Sequence, residues 1–155
     1  MATIYSDQYQ DAYVDVPSNK IGRGEFNAKV HIIYFSHTVT AAPSNGDVLK
    51  LCKLPKGARV LNAVLSHGDL GTAGTLNLGW AASDDAVESA DADGLIASID
   101  VATAAAIVTM HEQTGAAVPG LLKQFAAEVD VQLDIATAWT ATSGSIKGYI
   151  EYVVS

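Results

Sequence analysis

Hydrophobic and polar positions alternate along much of the chain. The clearest run is 125–135. Phe125, Ala127, Val129, Val131, Leu133 and Ile135 fall on one side of it, and Glu128, Asp130, Gln132 and Asp134 on the other. A period of two held that long predicts an antiparallel strand with one buried and one wet face. Thr75–Trp80 alternates in the same way, with Leu76, Leu78 and Trp80 inward. Residues 145–154 place Ile146, Ile150, Tyr152 and Val154 on one face after a TSGS turn. Val48–Leu54, stopped by Pro55 and Gly57, and 58–66 (ARVLNAVLS) complete the middle of the chain. Residues 29–38 (KVHIIYFSHT) are β-branched, aromatic and apolar on both faces, which predicts a central strand.

Two stretches break the pattern. Residues 81–120 are rich in Ala, Asp and Gly. Asp100 can cap a short helix over 101–110, with a strand around Ile107 and Val108 as the competing reading. Residues 1–28 have no sustained hydrophobic period and contain Pro17, Gly22 and Gly24, so they read as an extended N-terminal arm. Tyr5, Tyr9 and Tyr13 on this arm are candidate partner-binding residues, because a tyrosine ring offers large contact area at small entropic cost. At least six short strands separated by turns predict an all-β antiparallel sandwich or jelly roll over 29–155.

The 155-residue length suits one domain. The formal net charge of -8 changes the picture, because it is concentrated. No Lys or Arg occurs between Val60 and Leu122, while that stretch holds eight acids, and the remainder of the chain is balanced. Asp84, Asp85, Glu88, Asp91 and Asp93 are therefore expected to form an acidic surface, either simply solvated or facing a basic partner or a cation. Such a balance argues against general nucleic-acid binding and against an anionic membrane surface. No apolar run is long enough for a membrane helix, and the N-terminus lacks the basic start and apolar core of a signal peptide.

Catalytic and cofactor chemistry finds little to stand on, so neither an enzyme nor a cofactor is expected. His31 and His37 share a strand face but lie about 20 Å apart at strand rise, too far to share a metal. SADADGLIASID at 89–100 places Asp91, Asp93 and Gly94 at calcium-loop spacing, but Ser89 and Asp100 stand where Asp and a bidentate Glu belong. An acidic turn without metal is the expectation there. The lone GRG at 22–24 lacks the third glycine and the strand-to-helix context of a dinucleotide site. Cys52 reads as a buried small hydrophobe and Trp80 as core. Trp139, in the loop ATAWTATSG, is expected to be exposed and is a candidate for partner or sugar binding.

LPKGARVLNAVLSHGDLGTAGTLNLGW at 54–80 and TATSGSIKGYIEYVVS at 140–155 carry a resemblance. A Pro-Gly turn feeding a hydrophobic strand, a Leu-Gly-x-x-Gly-Thr turn, and a closing strand ending near Tyr-Val are similar to small virion structural proteins of tailed bacteriophages. The likeness is greatest to capsid decoration, or cement, proteins. These motifs are turns and core positions and carry no catalytic residue. The resemblance implies a homotrimer bound to the phage major capsid protein on the capsid surface, made in the host cytoplasm. The alternative it leaves open is another virion part, such as a head-fibre, tail or glycan-binding adhesion module.

Overall fold

The computed structural model describes residues 29–102, 104–113 and 118–154. The described residues form eight strands: β1 (Val30–Val39), β2 (Val48–Leu54), β3 (Ala58–His67), β4 (Thr75–Trp80), β5 (Asp91–Asp100), β6 (Ala106–Thr109), β7 (Val129–Thr137) and β8 (Gly144–Val154). They form two four-stranded antiparallel sheets. Sheet A runs β1-β8-β3-β6 and sheet B runs β2-β7-β4-β5. Strand β1 pairs with β8, β2 with β7, β3 with β6 and β4 with β5. The described chain is thus one long hairpin rolled onto itself, an eight-stranded jelly roll, where the strand pattern predicts at least six strands in a sandwich or jelly roll.

The core lies between the sheets and is built by the alternation. On β7 and the residues leading into it, Phe125, Ala127, Val129, Val131, Leu133 and Ile135 are all buried. All of these but Ala127 meet Leu76 and Leu78 of β4 and Leu65 and Ile150 of sheet A within one continuous cluster. Each such large side chain contributes about 1.5–3 kcal/mol on leaving water. Trp80 is in this core, as expected.

Several expectations need correcting. The 29–38 segment is not central: β1 is an edge strand of sheet A. Only Phe35 and Val39 are buried on it, while Val30, Ile32 and Tyr34 are exposed. The helix expected over 101–110 is replaced by strand β6 and a single 3-10 turn, Met110–Glu112. Ile107 and Val108 favour extended backbone, and the free side of β3 offers Leu65 and Ser66 as ladder partners. Strand β5 runs through the 89–100 segment read as a turn. On β8 the alternation slips at the end: Val153 is buried and Val154 is 39% exposed. A register shift in β3 between Val60 and Asn62, opposite this part of β8, accompanies the slip. Cys52 is half-buried rather than buried, beside a second shift between Lys50 and Cys52. Burial first, and the Asp130 charge second, push its thiol up to about 11, so it stays an unreactive thiol at neutral pH.

Candidate functional site

Residues 81–90 join β4 to β5 and carry part of the acidic segment. The Ser83 hydroxyl donates to the Asp85 carboxylate at 2.6 Å, and the Val87 N–H adds a second bond at 3.2 Å. These two contacts, in that order, hold the Asp85 carboxyl below its ordinary value. Asp84 and Asp85 are exposed and line a small cleft of about 160 Å³ together with Glu128, Asp130 and Lys53. Sheet pairing brings Glu128 and Asp130 to this place, and the sequence reading had missed them. Lys53 answers them, 2.8 Å from Glu128 and 3.6 Å from Asp130.

Glu88 does not belong to an acidic surface. It is 7% exposed, and its carboxylate accepts the Ala126 N–H at 2.6 Å and meets the Lys123 ammonium at 2.8 Å. Its role is to tie the β4–β5 loop to the segment entering β7.

Asp91 and Asp93 sit at the start of β5, two residues apart on a strand rather than in a calcium loop. Among the described residues no group of three or more His, Cys, Asp or Glu side chains is placed to hold a metal ion. Burial, then a hydrogen bond with Asp93 and its charge, raises the Asp91 carboxyl above its ordinary value. A raised carboxyl means that ionisation costs stability, and the cost sets in as pH rises through the ordinary range. Asp93→Asn should therefore raise stability by about 0.5 kcal/mol at neutral pH, solvent screening keeping the gain small. Thermal melts at pH 7 and pH 3 check this; an equal gain at both would remove the charge explanation.

Trp139 is also displaced from its expected role. It is 4% exposed and belongs to the core. The loop that carries it is pinned on both sides: the Ala138 N–H donates to Asn45 Oδ1 at 2.7 Å, and the Ala141 N–H to the Leu70 carbonyl at 2.9 Å. Gly74 makes room for the ring's base, since a Cβ there would lie 3.2 Å from Trp139 Cβ. A buried indole cannot floor a sugar site. Tyr5, Tyr9 and Tyr13 lie outside the described residues.

The outer face of sheet A is an exposed apolar feature. Tyr34 on β1 pairs with Tyr149 on β8, which pairs with Val64 on β3. One row along, Ser36, Lys147, Ser66 and Ile107 stand side by side across all four strands. Tyr34 is 75% exposed and Ile107 67%. The two tyrosine rings lie 6.2 Å apart at a tilt of 59°. Between them and Ile107 runs a shallow trough of about 440 Å³. Gly148 belongs to its floor, because a Cβ there would lie 2.1 Å from the Val64 carbonyl oxygen and 2.7 Å from the Phe35 ring. An exposed apolar face of this kind is suited to docking.

The described residues thus form an eight-stranded jelly roll whose sheet A has a largely apolar outer face, with Glu151 its one acidic strand position. Neither a protein-family model nor a curated protein sequence matches the chain. Solved structures do. A chain in the capsid asymmetric unit of cyanophage Pam1 is 27% identical, with a TM-score of 0.62, covering 88% of this chain and 90% of that one. A chain in the capsid of Ralstonia phage GP4 shares the fold, at 24% identity and a TM-score of 0.64, covering 82% of this chain and 85% of that one. The cyanophage likeness supports a structural role in a phage virion.

Proposed function

We propose that the protein is a bacteriophage virion structural protein that binds the capsid exterior as a homotrimer and stabilises the head, a decoration protein. The observation that carries the reading is the likeness to the cyanophage capsid chain over nearly the whole of both chains. The motifs at 54–80 and 140–155 add to it, since they build β3, β4 and β8. The protein acts by contact rather than by catalysis. A protein that binds the mature shell better than its precursor stabilises that shell by mass action. An exposed Trp139 would have favoured sugar binding, and the burial of that ring removes this one argument for a glycan-binding module.

Heads of the parent phage lacking this protein should bind it saturably, at a fixed ratio to the major capsid protein. They should then resist heat or chelator better than bare heads. Co-sedimentation checks the first expectation and thermal release of DNA the second. Failure to sediment with heads, or binding to tails alone, would overturn the decoration reading.

A further inference from the structure

We propose that the outer face of sheet A is the surface on which copies of this chain meet, turned toward a common threefold axis. This rests on the homotrimeric part of the reading above and names the surface that performs it.

Charge selects the partner. Each copy carries a formal charge of -8, so copies repel wherever their acids are brought together. Like charges placed opposite one another cost several kcal/mol at an interface. Asp84 and Asp85 sit in the β4–β5 loop, and Asp91, Asp93, Asp130 and Asp134 lie on sheet B. On the outer face of sheet A the charged strand residues are Arg59, Lys147 and Glu151, and Glu151 already accepts from Asn62 at 3.4 Å. This is the broad face on which three acidic copies can approach with one acid each, Glu151, against two bases, Arg59 and Lys147.

Apolarity agrees. The two ends of the face are both apolar: Val30, Ile32 and Tyr34 on edge strand β1, and Ile107 on edge strand β6. They lie three strand spacings apart, about 14 Å. Turned toward an axis, the β1 end of one copy meets the β6 end of the next, and the contact closes after three steps. Strand spacing and rise give a flat face of roughly 500 Å², before side-chain relief is added. In a ring that face is divided between two neighbours, roughly 250 Å² each against the roughly 800 Å² per partner of a standard stable interface, so the surrounding loops must supply the rest. The interface also accounts for an uncharged ten-residue edge strand, a feature that proteins otherwise protect against unwanted pairing.

The test uses the full chain and a double variant, Tyr34→Glu with Ile107→Glu. Both side chains are exposed, so the monomer should keep its fold. Val87→Glu, at an exposed apolar position in the β4–β5 loop, is the control. Light scattering at micromolar concentration should give three times the 16.1 kDa chain mass for the wild type and the control, and a single chain for the double variant. A monomeric wild type, or a double variant that stays trimeric, overturns the proposal. If the double variant does not fold, hydrogen exchange on the wild type decides. Amides of β1 and β6 should slow on concentration, and exchange there that ignores concentration counts against the interface. Head co-sedimentation separates the two readings: a monomeric wild type that still binds heads leaves decoration standing and removes this interface.

Discussion

Replacing Trp80 with alanine is expected to destabilise the fold by about 3–5 kcal/mol, a loss typical of a large aromatic removed from a packed core. Melting would fall by roughly 10 °C for a chain of this length. The indole is 2% exposed and stands edge-on to Phe125, with ring centres 5.1 Å apart at 83°. Its N–H donates to the Ser89 carbonyl at 3.0 Å, and the Lys123 ammonium lies 5.8 Å above the ring. Gly94 is part of the same fit, because a Cβ there would come within 2.3 Å of the ring. Alanine would leave a cavity and an unbonded Ser89 carbonyl. Trp80→Phe keeps most of the volume and loses the hydrogen bond, so it should cost less than half as much. Denaturant titration measures both, and a Trp80→Ala cost below about 1 kcal/mol would show that the ring is not a hub of the core.

Glu88→Ala should cost about 2 kcal/mol, because it leaves the Ala126 N–H and the Lys123 ammonium without their acceptor. Glu88→Gln carries the more informative signature, its dependence on pH. Burial pushes the Glu88 carboxyl up, but the Ala126 and Lys123 hydrogen bonds and the Lys123 charge outweigh it. The net value lies below the ordinary 4.5. A carboxyl depressed by folding contributes stability that is present above its ordinary value and is lost as pH falls through its folded value. The wild type should therefore exceed Glu88→Gln in stability at pH 7, with the gap closing below about pH 4. A gap that persists unchanged to pH 3 would assign the effect to packing rather than to ionisation.

The same residues show what a sequence discloses. β2 and β4 stand at their predicted bounds, and β3 and β8 within a residue at one end, because alternation and turn residues are local signals. β5 was hidden by its interruptions. Register shifts around Leu78 and a positive φ at Ser98 spoil a period of two, so Leu95, Ile96 and Ile99 are buried without alternating. The edge position of β1 was hidden as well. Apolar residues on both faces suit a central strand and an interface equally, and only pairing tells them apart. Glu88 read as one more acid in an acidic run because its partner, Lys123, lies beyond two intervening strands. Trp139 read as exposed because loops usually are, and the two bonds that turn it inward reach residues far along the chain. The apolar outer face of sheet A needs all four of its strands to exist, so no single stretch of sequence contains it.

The pairing of β1 with β8 also decides how the domain responds to force. Val30 lies opposite Val153, so the described chain enters and leaves the domain side by side. A pull on these two points would act across the ladder and open it one hydrogen bond after another, as a zipper opens, instead of shearing the whole ladder at once. Yielding would begin at Val30 and Val153 and run toward Val39 and Gly144. The faces of the sheets, where load spreads over many side chains together, would hold far longer. A domain of this build tolerates pressure on its flanks and gives way to tension at its ends.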